Sequence, residues 1–351
     1  VTGPTQKPET PDNSDKEDKE DKEDVERLLT FDPDTAGGIM TTEYISIRAR
    51  NTVEKTLKFL QENTEEDTTY YLYVVDPQNI LKGVVSLRDI VTSSFDTAML
   101  DITNTNVKTV LYNEDQEEVA KKFQKYGFIM MPVVDEMDHL LGVIEFDDII
   151  DIIQEESTED INLLGGVNSE ERLDSSVGES VKSRIPWLIV NLFTAVMAAS
   201  VVSFFEGTIA QVVTLATVMP IVTGMGGNAG TQTLTIIVRG LALGELNFKN
   251  MKKVFFKEIG VGVVTGVVIG FIIGVLGYIW EGNFMFGIII SVAMLLNMIV
   301  ATITGYLVPV VLKKFKVDPA LASSIFVTTF TDVLGFFFFL GLATLLIQYL
   351  M

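Results

Sequence analysis

From residue 185 to the C-terminus the chain carries five apolar stretches of roughly 20 residues or more, near 185–205, 211–238, 257–280, 285–312 and 320–349. A helix of about 20 apolar residues crosses a bilayer, and at that depth only helices and closed barrels satisfy their own backbone. The second half is therefore expected to be an all-α polytopic membrane domain of five transmembrane helices, residues 185–351, in contact with the lipid bilayer. The basic residues orient it. Lys182 and Arg184 precede the first stretch, Arg239, Lys249, Lys252, Lys253 and Lys257 follow the second, and Lys313, Lys314 and Lys316 follow the fourth. The loops after the first and third carry Glu206 and Glu281 and no Lys or Arg. All three basic clusters fall on one side, which the positive-inside rule makes the cytoplasm. The expectation is a multi-pass protein of the plasma (inner) membrane with its N-terminus inside and its C-terminus outside.

The first half is chemically different. Residues 1–180 hold 16 Lys and Arg against 41 Asp and Glu, whereas residues 181–351 hold 10 against 6. Such an acidic half repels nucleic acid and attracts multivalent cations. Residues 1–24 repeat Asp, Lys and Glu with no apolar anchor beyond Val1, so residues 1–30 are expected to be an acidic disordered tail. No apolar signal core stands at the N-terminus, which keeps this half in the cytoplasm. With no cysteine and His139 as the single histidine, disulfides, thiolate metal sites and a Cys nucleophile are excluded, and a Ser-His-Asp triad is disfavoured. No hydrolytic constellation is visible, so the chain is not expected to be an enzyme. His139 reads as a surface turn residue.

Residues 31–154 contain a repeat. Val74-Val75-Asp76 leads to Gly83-Val84-Val85-Ser86-Leu87-Arg88-Asp89, and Val133-Val134-Asp135 leads to Gly142-Val143-Ile144-Glu145-Phe146-Asp147-Asp148. The two copies keep one register, 59 residues apart. Each reads as a strand, a turn, a second strand and the start of a helix, preceded by an amphipathic helix through Val53, Leu57 and Leu60 or through Val119 and Phe123. Units this small make poor cores alone, so the copies are expected to pack on each other. The pattern resembles a tandem CBS pair, an α+β regulatory module. That resemblance implies adenosine-nucleotide binding or ion sensing, and dimerisation. Asp89 is placed like the ribose-binding Asp of such proteins, Arg88 would meet phosphate, and Tyr71 and Phe128 would flank adenine. The second copy has Glu145 where the first has Ser86, which argues against a second equivalent site. A purely structural turn around Asp89 is the competing reading.

In the membrane half, Gly262, Gly266, Gly270 and Gly274 recur every fourth residue, a stripe that lets another helix approach closely. Two segments carry chemistry. Pro220 to Gln232 is rich in Gly, Asn and Thr, followed by Thr233 and Thr235. Clustered Gly and Pro loosen a helical ladder, and polar atoms at membrane depth are tolerated only against protein or a hydrated cavity. Pore lining competes here with a flexible kink held by interhelical hydrogen bonds. Asp332 lies inside the last stretch, after Ser323, Ser324, Thr328 and Thr329. A carboxylate at the bilayer centre costs at least about 2.5–3.5 kcal/mol, so it should face water or a cation, unless neighbouring hydroxyls satisfy it. Hard oxygen ligands without His or Cys point to a hard ion. These residues alone do not separate Mg²⁺ from Ca²⁺ or Mn²⁺.

The Gly224-Met225-Gly226-Gly227-Asn228-Ala229-Gly230-Thr231-Gln232 run, Val317-Asp318-Pro319-Ala320 and Thr331-Asp332-Val333-Leu334-Gly335 resemble the MgtE family of Mg²⁺ channels, over about residues 31–351. The resemblance implies a homodimer with one pore between two membrane domains and hydrated Mg²⁺ held at Asp332. Asn228, Thr231, Thr235, Ser324 and Thr328 match positions beside it. Family members often have Asn where this chain has Thr231 and Ser324; both replacements keep an oxygen. The family also commonly carries a helical domain ahead of the CBS pair, so this chain is expected to be a shortened form.

A second carboxylate group, Asp147, Asp148, Asp151, Glu155, Glu156, Glu159 and Asp160, begins at the end of the second repeat. On a helix Asp148, Asp151 and Glu155 share one face and Glu156, Glu159 and Asp160 another. Spacing alone leaves a cation site and a solvated acidic face equally open. The resemblance implies regulatory Mg²⁺ between the CBS and membrane domains, at positions matched by Asp148, Asp151, Glu156, Glu159, Asp160 and Asp318, with Glu117 as a further ligand. Residues 155–184 are expected to form a connecting, plug-like helix. The function expected is a Mg²⁺-selective channel closed by cytoplasmic Mg²⁺. The alternative is a secondary transporter of Mg²⁺, Co²⁺ or Mn²⁺ coupled to H⁺ or Na⁺. A membrane-anchored sensor is disfavoured, because an anchor needs neither Asp332 nor the Gly-Asn-Thr-Gln path.

Overall fold

In the first repeat, β1 (Ser46–Arg48) lies parallel to β2 (Tyr71–Val75), which pairs antiparallel with β3 (Leu81–Ser86). In the second, β4 (Val110–Leu111), β5 (Met130–Val134) and β6 (Leu140–Glu145) repeat that arrangement. This is a computed structural model, and it describes residues 26–62, 70–168, 171–247, 249–321 and 324–350. The expected acidic tail lies outside the described residues as far as residue 25. The chain divides into two compact units, 1–156 and 157–351.

The two sheets keep the register of the sequence repeat. Val74 faces Gly83 and Val133 faces Gly142, and each pair is followed by the same irregularity. The edge strands β1 and β4 are too short to show a period and were not legible in the sequence. Helix α1 (Val53–Glu62) lays Val53 and Leu57 on the first sheet, and α2 (Leu87–Thr92) follows β3. Helix α3 (Gln116–Tyr126) buries Val119 and Phe123 on the second sheet; Asp115 caps its start and Gly127, at φ 66°, ends it.

The two glycines of the repeat have a shared cause. Asn104 forms an antiparallel bridge to Val84, and Thr41 forms one to Val143. A Cβ on Gly142 would lie 2.7 Å from the Thr41 carbonyl oxygen, and one on Gly83 would collide with that of Asn104. The segment ahead of each repeat therefore crosses the other repeat. Ala36 and Met40 are buried in the second core, and Met99 in the first. The copies also join at their turns, where Ile80 bridges His139. Asp76 accepts hydrogen bonds from the Gln78 and Ile80 N–H groups, and Asp135 accepts from Met137 and His139. The His139 ring nitrogen Nδ1 meets Asp135 Oδ2 at 2.8 Å.

Helix α4 (Phe146–Leu164) runs on from β6. The expected connecting helix over 155–184 is not one element. Helix α4 stops before Gly165 and Gly166, the latter at φ 72°. The next helix, α5 (Val177–Phe204), restarts with a capping box between Ser176 and Glu179. A left-handed glycine ends a helix and a Ser-x-x-Glu box begins one, so the break is written locally.

Beyond α5 come the short α6 (Glu206–Gln211), then α7 (Thr214–Ala242), α8 (Met251–Glu281), α9 (Phe284–Lys314) and α10 (Ser324–Leu345). Among the described residues, α5, α8, α9 and α10 are long and apolar enough to cross a membrane. Helix α7 has the length, 29 residues, but its Gly, Asn, Thr and Gln lower its mean hydropathy. The five expected stretches thus become five long helices, one of them polar in its middle. The glycine stripe of α8 packs: all four glycines are buried, and a Cβ on Gly270 would lie 2.8 Å from the Ser291 carbonyl oxygen of α9.

Candidate cation pathway

Helix α7 has two unlike faces. Val222, Gly226, Gly227, Gly230, Leu234 and Val238 are buried. Gly224, Asn228, Gln232, Thr235 and Arg239 are exposed, with Thr231 half-buried beside them. The spacing of three and four residues makes the second set one stripe along the helix. Its hydroxyls are turned in a particular way. Thr231 Oγ1 donates to the Gly227 carbonyl at 3.0 Å, and Thr235 Oγ1 to the Thr231 carbonyl at 2.9 Å. A hydroxyl that gives its proton to its own helix offers only lone pairs outward. At Thr231 and Thr235 the stripe therefore presents acceptors, the groups a cation or its bound water requires.

Helix α10 supplies the second line. Ser324, Thr328 and Asp332 stand four residues apart and share a face. All three are half-buried. Thr328 Oγ1 donates to the Ile325 carbonyl at 3.1 Å, so it too shows lone pairs. Asp332 has no hydrogen-bond or ion-pair partner among the described residues. Ser323 lies outside the described residues. The helices meet here, because a Cβ on Gly227 would lie 3.2 Å from Thr328 Cγ2. The structure thus brings α7 and α10 together beside a lone carboxylate. The hydroxyls of the stripe bond to their own helices, not to Asp332.

The acids of the CBS pair, of the helix that follows it and of the turn after α9 are placed differently. Asp148, Asp151, Glu156, Glu159 and Asp160 all lie on α4; Asp148 and Asp151 are exposed, whereas Glu156, Glu159 and Asp160 are half-buried on the side that carries the buried Ile149 and Ile152. Asp148 is held above the ordinary carboxylate range, first by partial burial and then by the charges of Asp147 and Asp151. A cation bound there would relieve that repulsion. Glu156 Oε1 accepts from Gln116 Nε2 at 2.6 Å. Glu117 is ion-paired to Lys121 at 3.0 Å. Asp318, after α9, accepts from the Ala320 N–H at 2.8 Å. No group of three or more acids or histidines closes into a metal cage among the described residues.

Tyr71 and Phe128 line one cleft of about 150 Å³, together with Asn104, Asn106, Lys108 and Pro132. That volume holds an aromatic ring but is below the roughly 300 Å³ at which whole small-molecule sites begin. Arg88 and Asp89 do not line it. Asp89 accepts a hydrogen bond from Ser86 Oγ at 2.6 Å, and its own N–H donates to that oxygen, so the pair caps α2. Lys108, absent from the sequence reading, is the basic residue that lines this cleft.

Two further polar residues escaped the sequence reading: Glu258 in α8 and Asn297 in α9, both buried. The signal for Asn297 is a single polar residue in a long apolar run, and for Glu258 an acid beside Lys257 at the edge of one.

Comparison with known proteins extends this picture. Residues 219–342 match the MgtE family model, described as a divalent cation transporter, and residues 36–96 and 99–155 match the CBS domain model. The magnesium transporter MgtE of Enterococcus faecalis is 38% identical over 326 residues, covering 93% of this chain and 72% of that protein. The magnesium transporter MgtE of Thermus thermophilus is 37% identical over 327 residues, covering 92% and 72%. Among solved structures, the soluble part of a magnesium transporter is 45% identical over 38% of this chain and about half (52%) of that one, with a TM-score of 0.37. The cytosolic domain of the Mg²⁺ channel MgtE in complex with ATP is 41% identical, covers 38% of this chain and 54% of that one, and has the same TM-score of 0.37.

A CBS pair followed by helices long and apolar enough to cross a membrane, matching a divalent cation transporter model, defines a polytopic membrane transporter of divalent cations that carries a CBS pair. The chain belongs to the MgtE family.

Proposed function

We propose that the protein is a homodimeric Mg²⁺ channel, with Asp332 at its selective point and cytoplasmic Mg²⁺ as its closing signal. One observation carries this reading: the stripe of Asn228, Thr231 and Thr235 is open on a single chain, and polar groups at membrane depth do not face lipid. A second copy related by a two-fold axis would close that face into a hydrated path. Two Asp332 carboxylates across the axis would then balance one divalent charge. Hydrated Mg²⁺ fits neutral oxygens and one or two carboxylates, because this ion gives up its waters reluctantly. The basic ends of α5, α7, α8 and α9 support an orientation with those ends, and the acidic half, in the cytoplasm.

For regulation, α4 supplies the donors. Its carboxylates are hard ligands of the kind Mg²⁺ takes, and their mutual repulsion favours whichever state a cation occupies. ATP would place adenine between Tyr71 and Phe128, with Lys108 and Arg88 toward the phosphates. A carrier coupled to H⁺ or Na⁺ is the alternative. The discriminating experiment is single-channel recording of the purified full chain in bilayers. Unitary Mg²⁺ currents, independent of an H⁺ or Na⁺ gradient, are the expected result. Gradient-dependent uptake without unitary currents would establish the carrier instead.

A further inference from the structure

Asn297 stands in the middle of α9 with no exposed surface. Its Nδ2 donates to the Val222 carbonyl of α7 at 2.9 Å. Its Oδ1 is buried without a partner. Two glycines hold the amide from either side. A Cβ on Gly226 of α7 would overlap Nδ2, and one on Gly335 of α10 would lie 2.8 Å from Nδ2 and 3.1 Å from Oδ1. One flat amide therefore occupies the point where α7, α9 and α10 meet, and both neighbouring helices have room there only for hydrogen. Gly226 is two residues from Asn228, and Gly335 is less than one turn beyond Asp332. Whatever fills the space between these glycines sets the separation of the two polar lines. An apolar residue would pack at this junction without stranding an acceptor, so stability alone does not account for the amide.

We propose that Asn297 is the positioning residue for ion discrimination: by its bond to α7 and its contact with Gly335, it fixes how far Asp332 stands from the Asn228 and Thr231 stripe. The inference rests on the pore reading given above. A hydrated ion is recognised by the spacing of oxygens around it, so a shift of α10 against α7 changes which ion fits, while leaving the path open.

The test uses the full chain in liposomes, with Mg²⁺ and Ca²⁺ fluxes measured for Asn297→Ala, Asn297→Leu, Gly335→Ala and the Asn297→Ala/Gly335→Ala pair. Leu keeps the branching of Asn but loses the bond to Val222. The Mg²⁺/Ca²⁺ flux ratio is expected to fall at least about fivefold in each single variant, within the range of effects carried through packed helices. The pair should recover part of that loss, because the new methyl meets Ala rather than the amide; such non-additivity marks residues in contact. Ratios within about twofold of wild type in both Asn297 variants, or losses that simply multiply in the pair, would overturn the proposal. If Asn297→Ala does not yield dispersed protein, Asn297→Leu and Gly335→Ala decide the matter by the same ratio. Asp332→Ala run alongside separates the two readings. If it brings Mg²⁺ flux to background while the Asn297 variants keep the wild-type ratio, only the positioning role fails; if it keeps wild-type Mg²⁺ flux and ratio, the pore reading fails as well.

Discussion

Thr233 of α7 donates a hydrogen bond to the buried carboxylate of Glu258 on α8, at 3.3 Å, while Lys257 Nζ lies 2.7 Å from the other oxygen. Thr233 and Glu258 are 3% and 2% exposed, so each is the other's means of being buried. Thr233 faces away from the Thr231–Thr235 stripe, which makes this bond an anchor of α7 rather than part of the path. Thr233→Val keeps the shape and removes the donor, and should cost about 1–3 kcal/mol, the penalty for stranding a buried acceptor. Glu258→Gln keeps an acceptor without the charge and should cost less. Unfolding of purified protein by SDS titration measures both. A Thr233→Val protein as stable as wild type would show that the bond contributes nothing.

Replacing Asp148, Asp151, Glu156 and Glu159 together by their amides removes the charge of α4 with little change of shape. If Mg²⁺ closes the channel by binding there, flux in this variant stays high as internal Mg²⁺ is raised, where wild type shuts. Liposome flux at fixed external Mg²⁺ tests it, and normal inhibition would move the sensor elsewhere. The raised titration of Asp148 adds a pH dependence. Mg²⁺ needs the deprotonated carboxylate, so inhibition should weaken as pH falls through that raised range, and earlier than an ordinary Asp would give.

Much of this was legible in the sequence because the relevant signals are local and periodic. The 59-residue repeat fixed the paired sheets down to the Val74–Gly83 and Val133–Gly142 partners. Asp332 stood out because acids in apolar runs are costly. The exchange of segments between repeats was not legible: Thr41 crossing Gly142 is a contact between residues about a hundred apart, with no pattern of its own. Nor was the break after Leu164: the single connecting helix over 155–184 came with the family resemblance, although Gly165-Gly166 and the Ser176–Glu179 box mark the break locally. Asn297 was missed for a third reason. Its role depends on two glycines in other helices, and in sequence those read as features of their own segments.

Nucleotide binding is testable at the cleft of Tyr71 and Phe128. The full chain should bind ATP at one site per chain, and Phe128→Ala should weaken it at least several-fold, since base–aromatic stacking is worth about 1–3 kcal/mol. Asp89→Ala should also weaken it if that carboxylate meets the ribose; the variant loses the Ser86 Oγ bond to the carboxylate but keeps the backbone N–H that Ser86 caps. Lys108→Ala should weaken ATP more than adenosine if that cation meets phosphate. Isothermal titration distinguishes these. Wild-type protein that shows no heat at millimolar ATP would remove nucleotide from the account.

Asp332 carries the transport reading. It lies half-buried in α10, four residues from Thr328 and eight from Ser324, beside the open stripe of α7. A carboxylate with no partner at membrane depth is costly unless water or an ion reaches it. Asp332→Ala removes the charge and should bring Mg²⁺ flux to background while the protein still assembles. Asp332→Asn keeps the shape and one acceptor, so it should pass ions while losing its preference for divalent over monovalent cations. The pair separates charge from shape: if the acid were structural, Asn would restore what Ala loses, and selectivity would return with stability. The measurement is Mg²⁺ and Na⁺ flux in liposomes at matched protein density, with thermal unfolding as the control for assembly. Wild-type Mg²⁺ affinity and selectivity in Asp332→Ala would place the selective point elsewhere along the helix and leave the open stripe of α7 to be explained by another partner.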